Sequence, residues 1–416
     1  GAAVTNTGTV ETGEAGIAHF AGNGAVIDTC GTNIMADKST IAMAGAGGTI
    51  NYNNSGDVFV GDNEKKGFAA DGGIVNLTGG KTVNVGNNNS VGIIIGSSGS
   101  VNNINSVNVG NASTGVYVKD NSNYNVYYNI FLNDQGAGGI SGEGGLITLN
   151  SGISILSAAG VNEAIGMINK GAGGIADNRG VIDFRAGTGN IGMYGSSTDN
   201  IQNNNQILIG ESASTSTAVG MYGEAANNVL NYADITIGKA AIGMYGKNVT
   251  DGISGVDNYA NITSTATNAI GMYGENSGVK NAGTVAMSLA GVGIYGKDSI
   301  IENTGTIITG DTIKTGLAEE TAVGIYATGT SDVRNVSNIN TGWSSVGIFG
   351  ENGTIINDGT ITAGESSIYM FTYGAGGNII NNSLLNLTDR SIGIYATAGT
   401  AVNSNTGVMI PRICII

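Results

Sequence analysis

Apolar residues alternate with small or polar residues in a short segment that recurs along the chain. In Ile270-Gly271-Met272-Tyr273-Gly274 the aliphatic side chains occupy every second position. A period of two is typical of a β-strand, because successive side chains point to opposite faces of a sheet. The pattern predicts a strand in which Ile270 and Met272 face inward while Gly271 and Tyr273 face outward.

The same segment returns many times and identifies a repeat. Clear copies end in an aromatic residue at Tyr194, Tyr222, Tyr245, Tyr273, Tyr295, Tyr326, Phe349 and Tyr395. Looser copies lie around Phe20, Ala44, Ala69, Ile94, Tyr117, Ser141, Ile168 and Tyr369. These 16 units have a mean spacing of about 25 residues, a period typical of solenoids.

A second motif, Asn-x-Gly-Thr-Val/Ile, follows the first within many units. It occurs at 281–285, 303–307 and 357–361, with variants at 6–10, 258–262 and 405–409. Asn and Gly accept positive φ at little cost and so favour turns, and asparagines at equivalent turns can stack into hydrogen-bonded ladders. The sequence therefore predicts an all-β fold, a single-stranded parallel β-helix of about 16 coils with roughly 25 residues per coil.

We expect residues 1–408 to form one continuous β-helix. Within it, 1–190 are irregular coils with a Tyr/Asn-rich insertion near 119–129, and 191–408 are regular coils. Residues 409–416 depart from the repeat and contain Pro411, the only proline. They mark a boundary, a cap or an end foreign to the repeat.

Composition narrows the function classes. Sixteen Lys and Arg face 31 Asp and Glu, giving a net charge of −15, and the largest basic cluster is Lys65-Lys66. Nucleic acid is therefore not an expected partner, since phosphate neutralisation requires grouped cations. The sequence contains no run of 18 apolar residues, so we expect no membrane insertion in this segment. Cys30 and Cys414 are too far apart in sequence for a disulfide scaffold or a CxxC metal site, and the sequence leaves their redox state open.

Tandem GIYG/GMYG strands followed by NxGTI resemble the passenger domains of large fusobacterial autotransporter adhesins, a type V secreted family. The resemblance is strongest from about Ile191 to Gly407. It implies a right-handed β-helix displayed on the bacterial cell surface, on the extracellular side of the outer membrane. It also implies adhesion to a host-cell glycan or protein receptor, or to partner bacteria. We expect a monomeric rod without a cofactor.

Aromatic residues are the best candidates for recognition. The outward rings of the eight clear copies, Tyr194, Tyr222, Tyr245, Tyr273, Tyr295, Tyr326, Phe349 and Tyr395, should form a structural stripe by stacking. Ligand-binding candidates lie where the repeat is interrupted. They are Tyr124, Tyr127 and Tyr128 in the insertion, Trp343 in a turn, and Tyr369, Phe371 and Tyr373, whose spacing places all three on one strand face.

Catalytic candidates are weak, and we expect no enzyme and no metal site. Asp177, Arg179, Asp183 and Arg185 form the best charged group, and Asp183 and Arg185 read as an exposed ion pair. His19 is the only histidine, which excludes a Ser/His/Asp arrangement around a second one. Asp57, Asp62 and Glu64 lack EF-hand spacing. Glu319 and Glu320 are predicted to lie in a solvated loop.

The leading hypothesis is a non-catalytic adhesin segment. A structural stalk or surface-layer rod without its own binding site is the first alternative. The second is a polysaccharide-cleaving β-helix, which requires clustered carboxylates.

Overall fold

A computed structural model describes residues 2–249, 255–315, 318–404 and 409–410 of the chain. Every regular element in these residues is a β-strand. Apart from one antiparallel pair, Ile313–Thr315 with Ala318–Glu320, the strands pair in parallel. They stack as a solenoid of about 16 turns with roughly 24 residues per turn, which confirms the predicted fold class. They group into two compact units, Gly1–Asp199 and Asn200–Ile416.

The strands of unit 1 are β1 Ala3–Asn6, β2 Val10–Glu11, β3 Ile17–Ala21, β4 Val26–Thr29, β5 Asn33–Ile34, β6 Thr40–Ala44, β7 Thr49–Tyr52, β8 Val58–Gly61, β9 Lys66–Asp71, β10 Ile74–Val85, β11 Val91–Gly96, β12 Ser100–Val109, β13 Thr114–Val118, β14 Tyr124–Val126, β15 Asn129–Leu132, β16 Gly138–Glu143, β17 Leu146–Leu149, β18 Ser154–Ser157, β19 Ile165–Lys170, β20 Ile175–Asn178, β21 Val181–Thr188 and β22 Ile191–Ser196.

The strands of unit 2 are β23 Asn200–Asn203, β24 Ile207–Glu211, β25 Val219–Glu224, β26 Asn228–Asn231, β27 Ile235–Thr236, β28 Ile242–Lys247, β29 Val256–Asn258, β30 Asn261–Thr263, β31 Ile270–Glu275, β32 Gly278–Asn281, β33 Thr284–Ala286, β34 Val292–Lys297, β35 Ile300–Asn303, β36 Thr306–Ile308, β37 Ile313–Thr315, β38 Ala318–Glu320, β39 Val323–Thr328, β40 Asp332–Asn335, β41 Ile339–Thr341, β42 Val346–Gly350, β43 Thr354–Asn357, β44 Ile361–Ala363, β45 Ile368–Thr372, β46 Asn378–Asn381, β47 Leu385–Asn386, β48 Ile392–Ala396, β49 Thr400–Asn403 and β50 Met409–Ile410.

Each regular coil has three faces, and β31, β32 and β33 illustrate them in order. The first face carries the GIYG/GMYG strands, the second ends at the motif asparagine, and the third holds the Thr-Val/Ile pair. Met272, Val279 and Val285, one from each face, are fully buried and fill the interior of this coil. A thin core of one or two side chains per strand therefore suffices, because the coils above and below cover it.

The predicted alternation in the first-face strand is wrong at its start. Ile270 is partly exposed, whereas Gly271 and Met272 are both buried. A Cβ on Gly271 would collide with the side chain of Val285 and lie 2.6 Å from the carbonyl oxygen of Gly293. Gly271 therefore faces inward, where only glycine leaves room for the third face and the next coil. Tyr273 faces outward as predicted.

Asparagines line the inside of one corner in unit 2 and confirm the expected ladder. Each amide nitrogen donates to the side-chain oxygen of the asparagine one coil further along, at 2.7–2.9 Å. The ladder runs through Asn203, Asn231, Asn258, Asn281, Asn303, Asn335, Asn357, Asn381 and Asn403. Because all but the last are fully buried, these amides satisfy one another in place of water.

The second face of unit 1 is interrupted between two successive coils. In the first coils it consists of β1, β4, β7 and the starts of β10 and β12, which pair in register. It resumes with β14, which pairs with β17 and stands at the end of its sheet. The start of β12 and β14 therefore face each other across a break in the sheet.

Cys414, Pro411 and the rest of residues 411–416, for which a boundary or cap is predicted, lie outside the described residues.

Candidate functional site

The break in the second face of unit 1 forms a pocket of about 340 Å³. Its walls come from residues 99–104 of one coil and 123–128 of the next, and we call it the inter-coil pocket. All three tyrosines predicted in the insertion, Tyr124, Tyr127 and Tyr128, line it. Four asparagines, Asn102, Asn103, Asn123 and Asn125, complete an aromatic and amide surface.

Only one of the three tyrosines offers most of its ring to solvent. Tyr127 is 69% exposed, whereas Tyr128 is almost fully buried and Tyr124 is half-buried. The hydroxyls of Tyr124 and Tyr128 lie 3.2 Å apart and form a hydrogen bond. Burial raises the pKa of Tyr124 to about 12 and also raises that of Tyr128, so both stay neutral. They form the wall of the pocket, and Tyr127 is its free aromatic contact.

The candidates Tyr369, Phe371 and Tyr373 do not share one face, and that prediction is wrong. Tyr369 is fully buried, because it takes the inward position that glycine holds in other first-face strands. Its hydroxyl donates to the Asn386 carbonyl oxygen at 2.6 Å, which satisfies the buried polar group. Phe371 lies outward, and Tyr373 follows the end of β45 and is exposed.

Trp343 lies in a turn after β41 and is 42% exposed. The Lys314 ammonium of the β37–β38 hairpin lies 5.3 Å from its ring centroid, and Lys314 also pairs with Glu319 at 2.9 Å. A cation at this distance is attracted to the ring face. Glu320 accepts a hydrogen bond from the Asn268 amide at 2.9 Å. Trp343, through Lys314, and Glu320, through Asn268, thus hold the hairpin against the coils, whereas Glu319 pairs with Lys314 within the hairpin.

The aromatic stripe of unit 2 is a stacked column of outward rings. Neighbouring centroids lie 4.6–5.2 Å apart, and most pairs are stacked or tilted. Its members are Tyr222, Tyr245, Tyr273, Tyr295, Tyr326, Phe349, Phe371 and Tyr395. Phe371 therefore belongs to the stripe. Tyr194 lies in unit 1, where the Lys170 ammonium is 5.9 Å from its ring centroid.

Alternating charges run beside part of the stripe. Strand register places Glu224, Lys247, Glu275 and Lys297 in consecutive coils. Lys247 pairs with Glu224 at 3.7 Å and Lys297 with Glu275 at 3.0 Å, and the Tyr245 hydroxyl donates to Glu275 at 3.0 Å. The hydrogen bond from Lys297 lowers the pKa of Glu275. The two lysines and two glutamates thus neutralise one another's charge, and Glu275 also anchors the Tyr245 ring of the stripe.

Sequence reasoning missed an exposed aromatic pair in unit 2. Tyr232 and Tyr259 stack with centroids 5.2 Å apart and an interplanar angle of 7°, and they are 48% and 44% exposed. The Tyr259 hydroxyl donates to buried Asp257 at 3.1 Å. Each tyrosine directly follows an asparagine of the buried ladder, so the repeated Asn-Tyr-Ala triplet was the available signal.

The charged candidates in unit 1 are each engaged locally. Asp177 is fully buried and accepts from Arg179 at 2.7 Å. Asp183 accepts from the Arg185 guanidinium at 2.6 and 3.0 Å, and this pairing lowers the pKa of Asp183 against the effect of burial. His19 is buried, with Nε2 2.9 Å from the side-chain oxygen of Asn33.

The acidic loop residues serve as acceptors for backbone groups. Asp57 accepts from the Thr82 backbone N–H at 3.2 Å, and Asp62 accepts from that of Asn87 at 2.6 Å. Among the described residues no group of three or more His, Cys, Asp or Glu side chains is placed to hold a metal ion. Cys30 is exposed with a free thiol.

Comparison with protein-family models, with curated proteins and with solved structures finds no match for this chain. In the described part of the chain no helix is long and apolar enough to cross a membrane. Functional assignment therefore depends on the site geometry, and the likeness to autotransporter passengers stays a resemblance of sequence pattern.

Proposed function

We propose that this chain is a non-catalytic segment of a bacterial surface adhesin, displayed on the extracellular side of the outer membrane. It attaches as a monomer to a glycan or protein receptor on host cells, or to other bacteria. The observation that carries the proposal is the inter-coil pocket, where an exposed tyrosine and four asparagines line a break in the second-face sheet of unit 1. Tyr supplies contact area at low entropic cost, and amides adapt their hydrogen bonding to a partner.

Two features favour binding over catalysis. Asp177 and Asp183 are each paired with their own arginine, and neither lines the pocket. A polysaccharide-cleaving site needs carboxylates that flank the scissile bond. The charge-poor pocket wall favours contacts through rings and amides over long-range electrostatic capture.

The test is a binding titration of fluorescently labelled chain onto epithelial cells, immune cells and other bacteria. Tyr127→Ala is the probe, because this ring is exposed and its loss leaves the buried pair intact. Phe59→Ala is the matched control, since Phe59 is an exposed aromatic of unit 1 outside the pocket. We expect saturable binding that Tyr127→Ala weakens and Phe59→Ala preserves. If no surface binds the chain above background, the adhesin function is refuted and a structural stalk describes the segment better.

A further inference from the structure

Two strand edges without a neighbouring strand face the inter-coil pocket. β12 pairs with β15 only from Ser106 onward, so no strand follows Ser100–Asn102 on the pocket side. β14 pairs with β17 alone. The structure describes residues 2–199 without a gap, and no strand in this range pairs with either of these two edges on the pocket side. An unpaired edge is a template for another strand.

The backbone of β12 is oriented to receive such a strand. The Ser100 N–H donates to the Gly73 carbonyl oxygen at 3.0 Å, away from the pocket. Successive residues of a strand direct their N–H and C=O groups to alternate sides, so those of Val101 are directed to the pocket. A parallel segment placed there continues the hydrogen-bond pattern that joins β12 to β10.

A side-chain ladder on the outer surface ends at the same place. Asn51 donates to Asp28 at 2.8 Å, Asn76 donates to Asn51 at 3.0 Å, and Asn102 donates to Asn76 at 3.0 Å. Each amide nitrogen thus bonds to the side-chain oxygen one coil earlier. The side-chain oxygen of Asn102 is the next acceptor in this series, and Asn102 lines the pocket.

The inward side chains repeat in the same register. Ile50, Val75 and Val101 are buried and immediately precede the ladder residues Asn51, Asn76 and Asn102. An aliphatic residue followed by asparagine is therefore the unit that each of these coils adds to the second face.

We propose that the inter-coil pocket binds an extended peptide segment of a partner protein by strand addition. The segment pairs in parallel with Ser100–Asn102, places an aliphatic residue against Val101, and places Asn or Gln over Asn102. One strand residue occupies roughly 160 Å³, from a rise of 3.3 Å, a strand spacing of 4.8 Å and a sheet spacing of 10 Å. A pocket of about 340 Å³ therefore holds about two residues, the aliphatic-Asn pair. The inference rests on the proposed function in taking the same pocket as its recognition site.

The probe is a fluorescein-labelled peptide, GIVNLTG, with the sequence of residues 73–79. Residues 74–76 already pair with Ser100–Asn102 from the coil below, so their sequence fits this ladder. The matched control peptide is GIVALTG, which lacks the amide. Anisotropy titrations use both peptides against the unaltered chain, Asn102→Ala and the control variant Phe59→Ala, with circular dichroism to establish that each variant is folded.

We expect saturable binding of GIVNLTG and about tenfold weaker binding of GIVALTG, the effect of losing one hydrogen bond. Asn102→Ala should weaken GIVNLTG about tenfold and leave GIVALTG unchanged, because the two changes remove the same contact. Phe59→Ala, at an exposed ring outside the pocket, should alter peptide affinity less than twofold. No saturable binding at millimolar peptide, or an equal response of both peptides to Asn102→Ala, overturns the proposal. The proposal is also overturned if the chain binds glycans that displace GIVNLTG while Asn102→Ala has no effect on the affinity for GIVNLTG.

The cell-binding titration separates the two proposals. If the peptide binds with the expected coupling and no cell surface binds the chain, strand addition stands and adhesion is refuted. If cells bind the chain and neither excess GIVNLTG nor Asn102→Ala reduces that binding, adhesion stands and strand addition is refuted as its mechanism.

Discussion

Replacing Asn281 by alanine should destabilise unit 2 more than its small change in volume suggests. Asn281 accepts from the Asn258 amide and donates to the Asn303 side-chain oxygen, both at 2.9 Å, inside the fully buried ladder. The Asn258 amide keeps a second acceptor, the Ala260 carbonyl oxygen at 2.9 Å. The Asn303 oxygen loses the Asn281 donor in a buried site. Two lost hydrogen bonds at about 1 kcal/mol each, plus desolvation of that oxygen, give a cost of about 3 kcal/mol.

Urea unfolding followed by the fluorescence of Trp343, the only tryptophan, reports on this unit. Asn261→Ala is the matched control, because Asn261 is exposed and donates to Asp234 at 2.9 Å on the outer surface. That variant should cost less than about 0.5 kcal/mol. The Asn281→Ala/Asn303→Ala double variant should cost clearly less than the sum of the single variants, since both remove the same rung. Equal midpoints for Asn281→Ala and Asn261→Ala would refute the assignment of stability to the buried ladder.

Three further changes test other parts of the packing. Gly271→Ala should destabilise unit 2 by about 1–3 kcal/mol because its Cβ meets occupied space, whereas Gly13→Ala, with open space around its Cβ, should be near neutral in thermal unfolding. Tyr369→Phe should cost about 1–2 kcal/mol in urea unfolding by leaving the Asn386 carbonyl oxygen without its donor; a loss below about 0.3 kcal/mol would contradict this. Burial lowers the pKa of His19, so the folded state favours the neutral ring; stability should be full above about pH 6.5 and fall as pH drops below it, and His19→Gln should remove that part of the urea-midpoint profile.

The repeat predicts the fold because its period is visible in the sequence. From Tyr194 to Tyr395, aromatic residues recur every 22 to 31 positions, each within an alternating segment, and define the coils without any knowledge of contacts. The inward orientation of Gly271 is not visible, because it depends on the third-face side chain that fills the interior beside it. Tyr369 shows the same limit: its position marks it as a repeat member, but only the packing reveals that it occupies a glycine site and satisfies its hydroxyl internally.

The candidate site was only partly predictable. The break in the repeat after Tyr117 identified the region of Tyr124, Tyr127 and Tyr128, because insertions stand out against a regular period. Which ring is exposed depends on the missing pairing between β12 and β14, and strand edges leave no mark in a single sequence. Tyr232 and Tyr259 escaped notice because they fall outside the aromatic position of the first motif.

The buried asparagine ladder has a consequence for how such chains acquire new parts. Consecutive rungs are 22 residues apart from Asn281 to Asn303 but 32 apart from Asn303 to Asn335, and the hydrogen bonds have nearly the same length. The additional residues include the β37–β38 hairpin, which leaves the rungs in place. Loop length and coil register are thus independent of each other. Mutation can lengthen, shorten or replace the loop between the third face of one coil and the first face of the next while the stack persists. The loop that carries the β37–β38 hairpin is therefore a natural place to graft a foreign segment.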